Sequence, residues 1–305
     1  MNEFRMKLMK ELKKILGIGY KLTAIDVEKN NGKVLHGIAI VKEGQNGGPT
    51  VYADSYFKKY SEGENDLEQM ATNICMMIAH CFQEENSGLL ENIITYDKVK
   101  DNLRIALCNY EANLEMLSKR PHRHVLDLAV TAFVHIKEVG KLGSGNLQVT
   151  NSLLKAWGVS ADEMLDTATV NTMKLGESYN IYNILDMLED KMQLPEDIDL
   201  SLYVLTTKDQ KLGASMLFNF DLLGEIADKL DSNLFIYPSS IHEVLVYPDK
   251  DDKEQRVYHR SMVEEVNQES VAPEERLSNS VYYFDRKERE LRIDYQGKPL
   301  SELAS

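Results

Sequence analysis

The chain has 305 residues, a formal net charge of −14, 43% hydrophobic and 28% charged residues. That is enough apolar sequence for an ordinary core, in one large domain or two lobes, and it excludes wholesale disorder. The acidic surplus disfavours nucleic acid as a partner, because holding phosphates requires concentrated Lys and Arg.

The surplus is uneven: Glu177 to Asp199 carries seven acids against the single base Lys191. Such a surface can imitate DNA, but the simpler reading is a soluble protein kept apart by its own charge. Three cysteines, Cys75, Cys81 and Cys108, lack metal-ligand spacing and point to a reducing compartment. The basic N-terminal stretch contains Glu3 and Glu11 and has no continuous apolar run, so it does not read as a targeting peptide. No segment approaches the ~20 apolar residues of a membrane span. The expectation is a cytoplasmic protein with no membrane partner.

In chain order, Phe4, Leu8, Leu12 and Ile15 recur at three- and four-residue intervals and predict an amphipathic first helix, ended by Gly17 and Gly19. Residues 20–44 read as two strands around Asn31-Gly32, a dipeptide suited to a type I′ hairpin turn. A short strand at Thr50 to Tyr52 precedes a buried helix over 66–84, carried by Leu67, Met70, Ile74, Met77 and Cys81. The first lobe, 1–95, is thus a small α-β-β-β-α unit.

The second lobe, 96–305, reads as a larger α/β assembly. "NLRIALCNY" predicts a strand, and "HVLDLAVTAFVHIK" after Pro121 predicts a strand buried on both faces. "GKLGSGN" reads as a glycine turn leading to a return strand at "NLQVT". Ser160 and Glu163 form a capping box that opens a helix from Ala161 to Met173. Ile181, Ile184, Leu185, Leu188 and Met192 predict a further helix, stopped before Pro195. "LSLYVLTT" is a strand, Leu217 to Leu230 a helix, "NLFIYPSSIHEVLVYP" two strands about a turn, and Val257 to Gln268 a helix. "SVYYFDRKERELRIDY" closes the chain as a hairpin near Arg286-Lys287. The fold class is α+β, with mixed, largely antiparallel sheets and packed helices.

The easily recognised chemistries are missing. There is no P-loop, no glycine fingerprint between a strand and a helix, no H-E-x-x-H and no G-x-S-x-G. No cofactor and no metal site is expected. His122 and His124 could share a strand face, but no carboxylate at matching spacing completes a ligand set. Asn109, Glu111 and Asn113 with Arg120 and Arg123 have the chemistry to hold an anion, but such residues more often cap turns and tie loops down.

The third candidate is Ser239-Ser240-Ile241-His242-Glu243. Ser, His and Glu are a workable catalytic vocabulary. Strand alternation, however, points His242 with Val244 and Val246, and Glu243 with Ile241 and Leu245, so Glu243 is badly placed to orient His242. Pro238-Ser239-Ser240 is good turn chemistry without any catalysis. The candidate ligand-binding residues are therefore Ser240, His242, Glu243, Asn109, Arg120 and Arg123.

The segments "NYEANLEML", "RPHRHVLDLAV", "AWGVSADEMLDTATVNT", "YVLTTKDQKLGASML", "LFIYPSSIHEVLVYP" and "SNSVYYFDR" resemble an uncharacterised family of clostridial cytoplasmic proteins, catalogued as a domain of unknown function. "PSSIHEV" carries most of that likeness. The layout is similar, more loosely, to another uncharacterised family of bacilli. The resemblance implies an intracellular bacterial origin and no known activity. The preferred functional reading is a non-enzymatic binding or regulatory module with a protein or peptide partner. The alternatives are an enzyme or small-molecule binder using the His242-Glu243 corner, and an acidic inhibitor of a nucleic-acid enzyme.

Overall fold

A computed structural model of the chain describes residues 1–45, 47–63, 66–81, 95–136, 145–174, 179–183, 201–250 and 253–300. Among these the fold is α+β, with three antiparallel sheets. The chain divides into two compact units, Met1–Lys98 with His135–Asn146, and Val99–Val134 with Leu147–Ser305.

In the first unit, helix α1 (Asn2–Leu16) buries Phe4, Leu8 and Leu12, the four-residue spacing that aligns one helical face. Gly17, at φ 75°, ends it and donates its N–H to the Lys13 carbonyl. Strands β1 (Tyr20–Glu28), β2 (Val34–Lys42) and β3 (Thr50–Tyr52) form a sheet in that order. Helices α2 (Ala53–Ser61) and α3 (Leu67–Cys81) complete the unit. Leu8 and Leu12 meet Ile38, Ile40, Met70, Ile74 and Ile78 in one apolar cluster.

The β1–β2 turn places Asn31 at φ 57° and Gly32 at φ 70°, the positive values a type I′ turn requires. Lys33 N–H donates to the Asn30 carbonyl. Glu28 pairs with Val34, however, so the connection carries extra residues beyond the two of a minimal hairpin. The ladder fixes a parity along β1. Lys29 N–H bonds the Lys33 carbonyl and Glu43 N–H bonds the Gly19 carbonyl, so odd-numbered residues face β2. The backbone groups of Leu22, Ala24 and Asp26 therefore turn to the outer edge. Among the described residues no strand pairs that edge, and Ala24 at its centre is exposed. On β2 the even residues face β3. Where β3 stops, Asp54 of α2 accepts the His36 N–H at 2.7 Å and meets the His36 ring nitrogen Nδ1 at 3.0 Å.

In the second unit, β4 (Leu103–Asn109), β5 (Arg123–Val125), β6 (Leu128–Ile136) and β7 (Gly145–Gln148) form a sheet with β6 pairing all the others. Helices α4 (Leu114–Ser118), α5 (Asn151–Trp157) and α6 (Ala161–Met173) accompany it. Ser160 Oγ accepts the Glu163 N–H and caps α6 at the expected position. The outer edge of β4 is covered by α6. Thr172 Oγ1 accepts the Ile105 N–H at 2.9 Å, and Asn171 Nδ2 donates to the Leu103 carbonyl at 3.2 Å.

The remaining strands are β8 (Tyr179–Asn183), β9 (Tyr203–Thr207), β10 (Leu234–Tyr237), β11 (Glu243–Pro248), β12 (Val281–Asp285) and β13 (Glu290–Tyr295), in the order β13-β12-β10-β11-β9-β8. Helix α7 (Phe220–Lys229) precedes β10 and α8 (Lys253–Glu269) precedes β12. Central β10 is buried throughout, and Val263 of α8 clusters with Phe235, Tyr237 and Tyr283. Among the described residues no helix is long and apolar enough to cross a membrane.

Two sequence expectations change. "HVLDLAV" is not one strand: β5 and β6 meet in a two-residue hairpin at Leu126-Asp127, with Leu126 at φ 57°. Leu-Asp carries no glycine or asparagine turn signal, so the strand propensity on either side conceals the reversal. Ile181 lies on β8 rather than on a helix, paired with Leu205. The rest of that predicted helix, 184–192, and most of the "GKLGSGN" turn lie outside the described residues.

Gly32 occupies a left-handed conformation that costs an L side chain about 1 kcal/mol. Gly32→Ala is expected to lower unfolding stability by about that amount, and Asn31→Gly by much less, in urea denaturation.

Candidate functional site

The residues "YPSSIHEV" connect β10 to β11, whose register runs from Leu234 opposite Pro248 to Tyr237 opposite Leu245. The connection is tied down one backbone group at a time. Ser278 N–H donates to the Pro238 carbonyl, Leu277 N–H to the Ser239 carbonyl and Ile241 N–H to the Glu275 carbonyl, each at 2.9 Å. Ala214 N–H reaches the Ile241 carbonyl and Thr206 Oγ1 the His242 carbonyl. Buried backbone groups need such partners, and this corner supplies them.

The side chains serve the same end. Ser240 is 3% exposed, and its Oγ accepts the His242 N–H at 3.0 Å. The His242 ring accepts the Leu212 N–H on Nδ1 at 3.2 Å, which leaves the ring proton on Nε2. Nε2 lies 3.4 Å from Glu275 Oε1. The acid oriented toward His242 is thus Glu275, not its neighbour Glu243, which sits opposite Thr206 on β11. Both ring nitrogens have partners other than Ser240 Oγ, so the base-activated hydroxyl of a catalytic triad is not assembled here.

The loop beneath the corner is under constraint. Leu212 holds φ 54°, a region costly for a bulky side chain, and its N–H is the one that His242 accepts. A Cβ on Gly213 would stand 2.5 Å from the His242 carbonyl oxygen and 2.6 Å from Thr207 N. Only glycine lets these backbones approach so closely.

Asn109 belongs to the other side of the same segment. It is 8% exposed, and its Nδ2 donates to the Leu277 carbonyl at 3.1 Å while its Oδ1 accepts the Ala112 N–H. Glu275 to Leu277 therefore brings together three of the sequence-selected residues: His242 through Glu275, Ser240 through a bridge to Arg276, and Asn109 through Leu277. Arg120 and Arg123 are engaged elsewhere. Arg123 pairs with Asp166 at 2.9 Å and Asp162 at 3.3 Å on α6, bonds that raise its pKa further. Arg120 donates toward Gln148 Oε1 at 3.5 Å. His124 stacks on Tyr110 with ring centroids 3.7 Å apart, and His122 Nδ1 lies 3.0 Å from the Arg120 carbonyl oxygen. Among the described residues no three His, Cys, Asp or Glu side chains converge as metal ligands.

A stronger polar cluster went unnoticed in the sequence. Asp127, in the β5–β6 hairpin, accepts Ser278 Oγ at 2.5 Å and Ser280 Oγ at 2.8 Å on Oδ2, and the Tyr282 hydroxyl on Oδ1. Asn267 of α8 donates to the Ser278 carbonyl and Asn279 Oδ1, both at 2.7 Å. Tyr282 is fully buried; that burial, and then the adjacent Asp127 charge, push its pKa well above the usual tyrosine range. The signal was available: Ser278, Ser280 and Tyr282 alternate on one face of an extended segment, and three buried hydroxyls on one face need a common acceptor.

The model of DUF5688, a family of unknown function, matches residues 1–286, which include both the corner and Asp127 with its hydroxyl partners. The chain belongs to that family. No curated protein and no solved structure matches it. DUF5688 membership brings no activity to assign to the corner, so the corner's chemistry rests on the geometry above.

Gly213→Ala is expected to cost about 1–3 kcal/mol through overpacking against Thr206, Thr207 and His242, read by urea denaturation. Asp127→Ala strands three buried hydroxyls and is expected to cost about 3 kcal/mol or more, with Asp127→Asn intermediate. Tyr282 gives a pH signature. The unfolded side chain releases its proton near pH 10 and the folded one holds it, so stability is intact below about pH 10 and falls as pH rises beyond. Tyr282→Phe is expected to flatten that alkaline loss in a melting series.

Proposed function

We propose that the chain is a non-enzymatic binding module that accepts an extended peptide as an added strand along β1. The observation that carries this reading is the outer edge of β1, which no strand pairs among the described residues and which is open to solvent at Ala24. Strand addition needs only a row of outward N–H and C=O groups, and the parity of the ladder supplies them at Leu22, Ala24 and Asp26.

Two other edges are covered by side chains. Asn171 and Thr172 cover β4, and Asp54 takes over the ladder of β2 beyond the end of β3. An open edge is a hazard that folds ordinarily blunt, so a long one left open in a chain that covers others is a natural place for a partner. The polar corner contributes differently: its serine and histidine are spent on holding loops together, which supports a scaffold role for it.

A proline at Ala24 removes an outward N–H and leaves the β1–β2 ladder bonds in place, whereas a proline at Thr23 removes a ladder bond. Ala24→Pro is expected to fold with near-normal stability and to lose a stoichiometric peptide or protein partner captured by the unmodified chain from its native cytoplasm. Capture undiminished by Ala24→Pro, in a variant with an unchanged melting temperature, would contradict strand addition.

A further inference from the structure

Resting on the strand-addition reading, we propose that the added strand is acidic, selected by lysines that flank the β1 edge. The chain as a whole carries −14, yet its first 45 residues hold nine Lys and Arg against five Asp and Glu. This local reversal of sign coincides with α1 and the β1–β2 hairpin.

The placement follows from two contacts. Arg5, near the start of α1, bonds the Ile25 carbonyl at 3.0 Å and Asp26 at 2.6 Å. Lys13, near its end, donates to the Tyr20 carbonyl at 2.5 Å, one of the outward-facing groups of the edge. The helix thus runs along β1 in the opposite direction, with its C-terminal half beside the start of the strand. Met6, Lys10 and Lys13 are spaced four and three residues apart and share one face of α1, the face from which Lys13 reaches the edge. Met6 is 59% exposed there.

The charges on α1 divide into two groups. Lys7 is paired with Glu3 and Lys14 with Glu11, so those lysines are neutralised within the helix. Lys13 and Lys21 are exposed and make no ion pair among the described residues. Lys13 reaches the edge from the helix side at the Tyr20 carbonyl, and Lys21, on the alternate residues of β1, lies on the opposite face of the sheet. A strand laid along Leu22 and Ala24 passes between them, so carboxylates on either of its faces meet a lysine.

Cross-strand and flanking charge pairs of this kind are individually weak but act together and set orientation. Membrane docking by α1 is disfavoured, because Phe4, Leu8 and Leu12, its apolar face, are buried in the unit's core.

The test uses the full chain and three fluorescein-labelled peptides matched in length to β1, alternating valine with glutamate, with lysine or with threonine, read by anisotropy at low and high salt. The glutamate peptide is expected to bind about fivefold more tightly than the threonine peptide, and the lysine peptide more weakly than either, with the differences collapsing at high salt. Lys13→Glu with Lys21→Glu should reverse the order, and Ala24→Pro should abolish binding of all three. Equal binding of the three peptides, lost in Ala24→Pro, would overturn the charge inference and leave strand addition standing. Failure of all three to bind would overturn both. Glutamate-peptide binding that survives Ala24→Pro would show a charged surface without strand pairing, and would overturn the proposal as stated.

Discussion

Asp127 accepts hydrogen bonds from Ser278, Ser280 and Tyr282, and the larger unit is arranged around that junction. The carboxylate sits in a two-residue hairpin of the four-stranded sheet, while the hydroxyls belong to the segment that runs into β12 of the six-stranded sheet. Three hydroxyl donors offset the cost of desolvating the carboxylate, and removing it would strand all three. Asn109 adds a second clip, from the end of β4 to the Leu277 carbonyl. The two sheets are therefore fixed to each other by directional bonds, whose geometry tolerates less displacement than apolar packing alone.

The same segment, continued backward, builds the corner between β10 and β11. Glu275, Leu277 and Ser278 engage Ile241, Ser239 and Pro238 along the backbone, and Glu275 turns its side chain to His242. His242 in turn holds the N–H of Leu212, whose left-handed backbone is also held by Ser215 bonding its carbonyl. One polar chain thus runs from Asp127 through residues 275–278 to the loop at Leu212. Side chains that looked like catalytic vocabulary are the fasteners of a fold with several long connections. Among the described residues no strand pairs the outer edge of β1, where the backbone groups of Leu22, Ala24 and Asp26 face outward.

The sequence made the framework legible wherever local signals agreed with tertiary demand. The helical spacing of Phe4, Leu8 and Leu12, the Ser160 cap and the Asn31-Gly32 turn were each readable because one residue type performs one local task. Strand alternation argued against a His242–Glu243 pair; the acid beside His242 is Glu275, while β11 itself begins only at Glu243. Alternation failed at Leu126-Asp127, where the turn is stabilised by partners more than 150 residues away in sequence rather than by turn residues of its own. Glu275 was hidden for the same reason: nothing within the "SSIHE" stretch identifies the acid that reaches His242. Asn109 was picked out by its chemistry, but its engagement with Leu277 is a long-range fact that no spacing rule contains. The local excess of lysine in the first 45 residues was plain in the sequence; the direction in which the β1 edge faces came only from the ladder.

A closed polar corner beside an open β1 edge is distinguishable by residue-resolved hydrogen exchange under native conditions. The amides of Leu212, Ile241, His242, Leu277 and Ser278 are expected to exchange only through global unfolding. Alternation is expected along β1, with Thr23 and Ile25 protected and Leu22, Ala24 and Asp26 exchanging quickly. Fast exchange throughout the corner, together with uniform protection along β1, would contradict this arrangement.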